Sequence, residues 1–160
     1  DPGKTGAMVT LFEDGSTLID RVPIERRKGK KDRPDYPLWA RSWASSISFN
    51  APDVFVIEQV EARPGQGVTS MFSFGKSMGF AMGVALASGL PVQYAYPGVW
   101  KARLGLLGAD KRASVALACE LVPSIFPELQ RKLVGNTLEV KHGIAEAALL
   151  AYYGRMTISG

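Results

Sequence analysis

Glu58 is the residue whose setting most constrains the chemistry of this chain. It closes the run Val54-Phe55-Val56-Ile57, an apolar, β-branched stretch that reads as a strand buried on both faces. A carboxylate there is costly unless a cation or several hydrogen bonds satisfy it. The carboxyl ends of strands in open α/β sheets are also where ligands bind. The competing reading is that Glu58 simply emerges into solvent as the strand ends. His142 and Glu146 stand four apart in a helical stretch and share one face. That face presents both to one cation, or else to water at an exposed helix start; Glu139, in the preceding loop, is a weaker companion. Asp1 opens Asp1-Pro2-Gly3-Lys4-Thr5-Gly6-Ala7. It is either an ordinary turn residue or, if a strand lies upstream, a further acid at a strand's carboxyl end.

Other chemistries fall away. Gly3-Lys4-Thr5 looks like the tail of a phosphate-binding loop, but that motif must run into a helix, whereas residues 7–24 read as a strand and hairpin. Ser70 and Ser73 lack a G-x-S-x-G elbow. Cys119 and His142 are the chain's single cysteine and histidine, which excludes a disulfide framework, Cys-based zinc and multi-His metal sites. Cys119, within Ala116-Leu117-Ala118-Cys119 on an amphipathic helix, reads as core.

Positioning the acids requires a sheet wrapped by helices. The 160 residues, 46% apolar and 21% charged, fit one globular domain over residues 1–160. Residues 7–13 are β-rich, Asp14-Gly15 is a two-residue hairpin signal, and residues 16–24 continue as a second strand. Residues 21–33 hold seven basic side chains (Arg21, Arg26, Arg27, Lys28, Lys30, Lys31, Arg33) against Glu25 and Asp32. With Gly29 inside and Pro34 and Pro37 after it, this reads as a mobile loop. Pro37 suits the first turn of a helix to about residue 49, with Trp39 and Trp43 on its buried face. After the strand over 53–59 come a Gly/Pro loop over 61–69, a helix over 70–88 stopped by Gly89, and a strand over 91–96. Helices follow over 97–106, 110–122 with Asp110 as N-cap, and 142–153, with residues 133–140 a loop. A meander followed by α/β crossovers implies a three-layer α/β domain, a mixed central sheet with helices on both faces.

Gly75, Gly79 and Gly83 recur every four residues along one helix. Each weakens it by about 1 kcal/mol relative to Ala, so three in register imply close approach of another backbone. That backbone is the sheet beneath, or the same helix of a second subunit across a two-fold axis. Phe72 and Phe74 are either core or a wedge that stacks on unpaired bases. A net charge of +4 and a pI near 9.3 are compatible with a polyanionic partner. The longest apolar stretch, residues 78–90, is too short for a membrane span, and a polar N-terminus without a basic-then-apolar start leaves a reduced intracellular compartment as the default. The abrupt opening at Asp1 leads us to expect a strand just upstream.

Taken together these residues resemble the RuvC-like Holliday junction resolvases of the RNase H-like superfamily, especially the small phage-type branch. The resemblance rests on Asp1-Pro2-Gly3-Lys4-Thr5-Gly6-Ala7, on Val56-Ile57-Glu58-Gln59-Val60 with the Pro64-Gly65-Gln66-Gly67 loop, and on Phe74-Gly75-Lys76-Ser77-Met78-Gly79. Val99-Trp100-Lys101 and His142-Gly143-Ile144-Ala145-Glu146-Ala147 complete it. It implies an RNase H-like fold whose first strand ends at Asp1, and a cytoplasmic homodimer in a bacterial or phage-infected cell. That dimer would bind four-way DNA junctions and nick two strands symmetrically with Mg²⁺ or Mn²⁺. Asp1, Glu58 and Glu146 become the metal-binding carboxylates. Bacterial members usually end D-x-x-D where this chain has His142-x-x-x-Glu146, so His142 either ligates a metal or orients the attacking water. Lys101 matches a basic residue near the active site and Lys111 another. Arg26, Arg27, Lys28, Lys30, Lys31, Arg63, Phe72, Phe74, Lys76 and Lys111 become DNA contacts, and Gly75, Gly79 and Gly83 the dimer interface. Two alternatives remain. One is a non-catalytic branched-DNA-binding protein of this fold. The other is an ATP-handling domain of the actin and sugar-kinase type, whose Asp-x-Gly-x-Thr hairpin residues 1–5 mimic, though those proteins close two such domains around nucleotide.

Overall fold

The hairpin signal produces β1 (Ala7–Leu11) and β2 (Thr17–Arg21), antiparallel, with Ala7 opposite Arg21 and Leu11 opposite Thr17. The connection is wider than the two-residue turn expected from Asp14-Gly15. The Asp14 carboxylate accepts both the backbone N–H and the hydroxyl of Ser16, which holds its pKa below the ordinary value. Gly15 takes up φ +83° inside a loop closed by Phe12 N–H on Ser16 O. The structure is a computed structural model and describes residues 2, 3, 5–61, 65, 67–131 and 137–158.

The basic segment is more ordered than the loop expected of it. β3 (Ile24–Glu25) and β4 (Arg33–Pro34) pair as a short antiparallel ribbon, and Arg33 Nε donates to Glu25 at 2.7 Å across it. α1 (Tyr36–Asn50) starts on the Asp35 side chain, which accepts the Leu38 N–H. It ends at Ala51, in the left-handed region at φ +43°. β5 (Phe55–Glu58), α2 (Val68–Ala87) and β6 (Val92–Ala95) form a β-α-β unit whose strands pair in parallel, Phe55 opposite Val92 and Glu58 opposite Ala95. α3 (Pro97–Arg103) and α4 (Lys111–Leu121) follow, Asp110 capping α4 through the N–H groups of Arg112 and Ala113. Pro123 and Pro127 then cut the chain into a 3-10 turn (Pro123–Ile125) and α5 (Phe126–Gln130), neither expected from sequence. α6 (Thr137–Ile158) is longer at both ends than the helix read over 142–153.

Burial alternates along the strands with the two-residue period of a pleated strand. Ala7 and Val9 of β1 join the cluster built on α6, with Trp100, Ile125, Leu129, Ile144 and Leu149. Met8 instead joins Trp39, Trp43 and Ile47 of α1 and Ala81, Val84 and Ala85 of α2. β5 does the same, Val56 toward α6 and Phe55 and Ile57 toward α1 and α2. The layers are therefore helix, strands, helix, as expected. The single mixed sheet is corrected: among the described residues the strands form three separate two-stranded ladders, and β1 and β5 are not hydrogen-bonded to each other. No helix among the described residues is long and apolar enough to cross a membrane.

Two contacts yield stability predictions. A Cβ on Gly154 of α6 would stand 2.5 Å from Val56 Cγ2, and a β-branched side chain has little freedom to move aside. Gly154→Ala is expected to cost about 1–2 kcal/mol net in denaturant unfolding, overpacking outweighing the roughly 1 kcal/mol of helix propensity gained. Glu128 of α5 pairs with Arg21 of β2 and with Arg131. Partial burial opposes its ionisation, but the two guanidinium groups prevail and hold its pKa below the ordinary value. A depressed folded-state pKa stabilises above the unfolded value near 4.5, and that contribution is lost as pH falls through the folded value. Glu128→Gln should therefore lose roughly 0.5–1 kcal/mol at neutral pH and show no difference from the unsubstituted protein in strong acid, read as unfolding midpoints across pH.

Candidate active site

Glu58 ends β5 on the face that turns toward α6, one residue beyond the buried Ile57. Its side chain is only 18% exposed, so the solvent-emergent reading fails. The chain then pairs through β6 and turns at Tyr96 into α3, where Pro97 in the first turn sets the helix. One turn in, the fully buried Trp100 donates its indole N–H to Glu58 Oε1 at 3.0 Å. Lys101, next in sequence, reaches the same carboxylate at 3.6 Å and Glu146 Oε1 of α6 at 2.8 Å. His142, one turn earlier on α6, holds Nε2 3.4 Å from Glu146 Oε1. Four of the five expected catalytic residues, from three separate elements, thus meet in one cluster. The fifth, Asp1, lies outside the described residues, as do Lys4 and Arg63.

The electrostatics centre on Lys101. Its partial burial disfavours the ammonium, but Glu146 first and Glu58 second outweigh that and raise its pKa above the ordinary value. One ammonium thus stands between two carboxylates. Glu146 Oε1 is nevertheless buried and receives no aligned hydrogen bond despite the nearby charge.

That donor set bears on metal binding. Among the described residues no three His, Cys, Asp or Glu side chains gather closely enough to hold a metal by themselves. Glu58 and Glu146 supply two hard oxygen donors that share one cation, and one of those oxygens has hydrogen-bonding capacity to spare. Mg²⁺ typically binds through one or two carboxylates, with water and substrate phosphates filling its octahedron. The pair fits that pattern.

Other expected groups lie elsewhere. Arg26, Lys28, Lys30 and Lys31 are exposed and Arg27 half-buried at the tip of the β3–β4 ribbon. Lys111 is ion-paired with Glu139, which lowers the Glu139 pKa and keeps Glu139 out of the cluster around Lys101. Lys76 rests its ammonium 4.5 Å from the Tyr36 ring centroid, while Phe72 is 74% exposed and Phe74 half-buried. Gly75, Gly79 and Gly83 correct one alternative, because a Cβ at any of them would meet nothing within 4 Å; the sheet beneath is not their reason. Cys119 is half-buried, and burial pushes its thiol pKa up against the weaker pull of Lys141, the opposite of an activated nucleophile.

Trp100 is the residue of this cluster to which the sequence reading gave no role. The signal was present: a buried indole N–H seeks an acceptor, and the nearest costly carboxylate was already identified at Glu58.

No family model and no curated protein matches the chain by sequence. Among solved structures it is similar to Thermus thermophilus RuvC in complex with Holliday junction substrate, with a TM-score of 0.56 and 12% identity over 94% of this chain and 87% of that one. A further Thermus thermophilus RuvC structure gives a TM-score of 0.52 and 16% identity over 95% of both chains. At these identities the likeness speaks to architecture alone, and on that evidence the chain has a RuvC-like α/β fold.

Proposed function

We propose that this chain is a divalent-metal-dependent endonuclease that binds and symmetrically nicks four-way DNA junctions as a cytoplasmic homodimer. The observation that carries the reading is the convergence of Glu58 and Glu146 on one cationic point at the end of β5, in a fold shared with a protein solved on a Holliday junction.

Glu58 and Glu146 would hold the ion, with Asp1 as the third oxygen ligand. When bound, Mg²⁺, or Mn²⁺ in its place, supplies the charge that eases in-line attack of water on a phosphodiester. The chain's own residues do the rest. Trp100 fixes one oxygen of Glu58, so that its carboxylate is oriented before substrate arrives. His142 braces Glu146 from the preceding turn, within reach to orient the attacking water. Lys101, beside both carboxylates, would offer its ammonium to the phosphate. Arg26, Arg27, Lys28, Lys30 and Lys31 on the ribbon, with Arg63, Lys76 and Lys111, track phosphates away from the cut and so give affinity with little sequence information. Phe72 and Phe74 flank the branch point.

The second subunit packs on α2. Val68, Phe72, Gly75, Gly79, Gly83 and Leu86 fall at three- and four-residue spacing, and all are exposed, with Val68 at 85% and Leu86 at 58%. An apolar stripe with small residues at its centre suits close helix approach across a two-fold axis. Gly79→Leu, whose Cβ meets no atom of its own chain within 4 Å, is expected to keep a cooperative unfolding transition and to convert dimer to monomer in sedimentation equilibrium. A fully retained dimer would remove Gly79 from the interface.

The second reading is a non-catalytic junction binder. It is favoured by Lys101 itself, whose ammonium already pairs with both acids without a metal. Incubating the protein with a synthetic four-way junction, a matched duplex and a fork, with and without Mg²⁺, separates the two. Paired nicks on the junction alone, dependent on Mg²⁺, support the nuclease; tight binding without nicking at any Mg²⁺ or Mn²⁺ concentration supports the binder.

A further inference from the structure

Tyr96 stands where the strands that carry the candidate site end. Ala95, the residue before it, is the register partner of Glu58 and accepts the Gln59 N–H. Neighbouring strands lie about 4.8 Å apart and each residue rises about 3.3 Å, so the Tyr96 Cα is about 6 Å from that of Glu58. The backbone there is fixed on both sides. Pro97 confines the residue before it to extended geometry, and Tyr96 adopts φ −73° and ψ 128°. Its carbonyl accepts the N–H groups of Val99 at 2.9 Å and Trp100 at 3.0 Å. Trp100 in turn donates its indole N–H to Glu58 Oε1, so one fully buried residue ties the Tyr96 backbone to the carboxylate.

The side chain has no such restraint. Tyr96 is 54% exposed. Among the described residues its ring meets no other ring and no cation, and its hydroxyl has no hydrogen-bond partner. Ala95 packs into the cluster built on α6, so alternation along the extended chain turns Tyr96 the other way, toward the layer of α2. The first turns of α2 carry the exposed Phe72. The ring therefore sits on the rim between the carboxylates and the start of α2. Packing accounts for the fixed backbone and leaves the exposed ring without a role in the fold. A rigidly mounted aromatic face beside a pair of phosphate-directed acids suits a flat π-system that arrives with the phosphate, and every nucleobase presents one.

We infer that Tyr96 contacts the substrate, its ring stacking on the nucleobase that adjoins the phosphodiester at Glu58 and Glu146 and so setting which linkage near the branch is cut. This rests on the nuclease reading. Stacking of this kind accepts any base, so the ring selects position and not sequence. The test uses the full chain and a four-way junction carrying 2-aminopurine, whose fluorescence falls on stacking, at each nucleotide around the branch point in turn. Before metal is added, the unsubstituted protein and Tyr96→Phe are expected to quench one probe by at least about twofold. That probe should adjoin the linkage nicked once Mg²⁺ is supplied. Tyr96→Ala and Tyr96→Leu are expected to leave it bright and to slow single-turnover nicking roughly 10–100-fold, the span of one stacking contact, with Mn²⁺ affinity unchanged. Quenching and nicking unaltered in Tyr96→Ala overturn the proposal. Slow nicking with quenching intact overturns it in favour of a positioning role through Trp100. Tyr96→Phe as poor as Tyr96→Ala overturns it in favour of a hydroxyl contact, and Tyr96→Leu as good as the parent in favour of plain apolar cover. If the unsubstituted protein nicks no junction while quenching follows the ring, the nuclease reading falls and the stacking contact stands.

Discussion

Glu58→Gln is expected to abolish junction nicking, by at least about 10³-fold or some 4 kcal/mol of barrier, while junction affinity stays within about twofold. The substitution keeps the shape of the side chain and an oxygen for the Trp100 indole to bond, so the end of β5 should hold its geometry. It removes one of the three carboxylate charges proposed to hold the cation. The phosphate-tracking groups on the β3–β4 ribbon are untouched, and the salt dependence of binding, set by phosphate neutralisation, should not change. Single-turnover cleavage beside a binding titration checks both halves. Unaltered cleavage would release Glu58 from the metal set, and lost binding would assign it to the DNA interface.

Lys101→Met produces the second large effect, and one that needs no substrate. In metal-free buffer it leaves Glu58 and Glu146, 18% and 12% exposed, without their shared ammonium. Breaking a buried pair by removing one partner costs 3–5 kcal/mol, and partial exposure reduces that here to about 2 kcal/mol, or a fall of roughly 4–8 °C in melting temperature. Millimolar Mg²⁺ should restore most of it, since a ligand that binds only the folded state stabilises in proportion to its occupancy. The unsubstituted protein should gain less from Mg²⁺, because Lys101 must be displaced first. A variant as stable as the parent, or equal Mg²⁺ gains in both, would remove Lys101 from its place between the acids.

How much of this was legible in the sequence differs from element to element. Glu58 was readable because its cost is local: four apolar residues, three of them β-branched, fix a buried strand, and the acid comes next with no turn between. His142 and Glu146 were readable from spacing, since a helix of any tilt keeps positions four apart on one face. Lys101 came only through resemblance, because nothing within a basic helix turn says which acids it will meet. The division of the strands into separate ladders was not readable, since pairing is a tertiary outcome and β1 and β5 look alike whether their outer edges are filled or open. The early start of α6 was hidden by polar and Gly residues just before it, where tertiary packing overrides weak propensity. The 3-10 turn and α5 were hidden by Pro123 and Pro127, which read as breaks but here occupy first-turn positions.

The central claim is that the carboxylates of Glu58 and Glu146 hold one divalent cation. It is tested most directly by titrating Mn²⁺ into the protein and into the Glu58→Gln and Glu146→Gln variants, following free Mn²⁺ by electron paramagnetic resonance. Saturable binding that each substitution weakens by at least about tenfold is the predicted result. Binding that neither substitution changes would contradict the account.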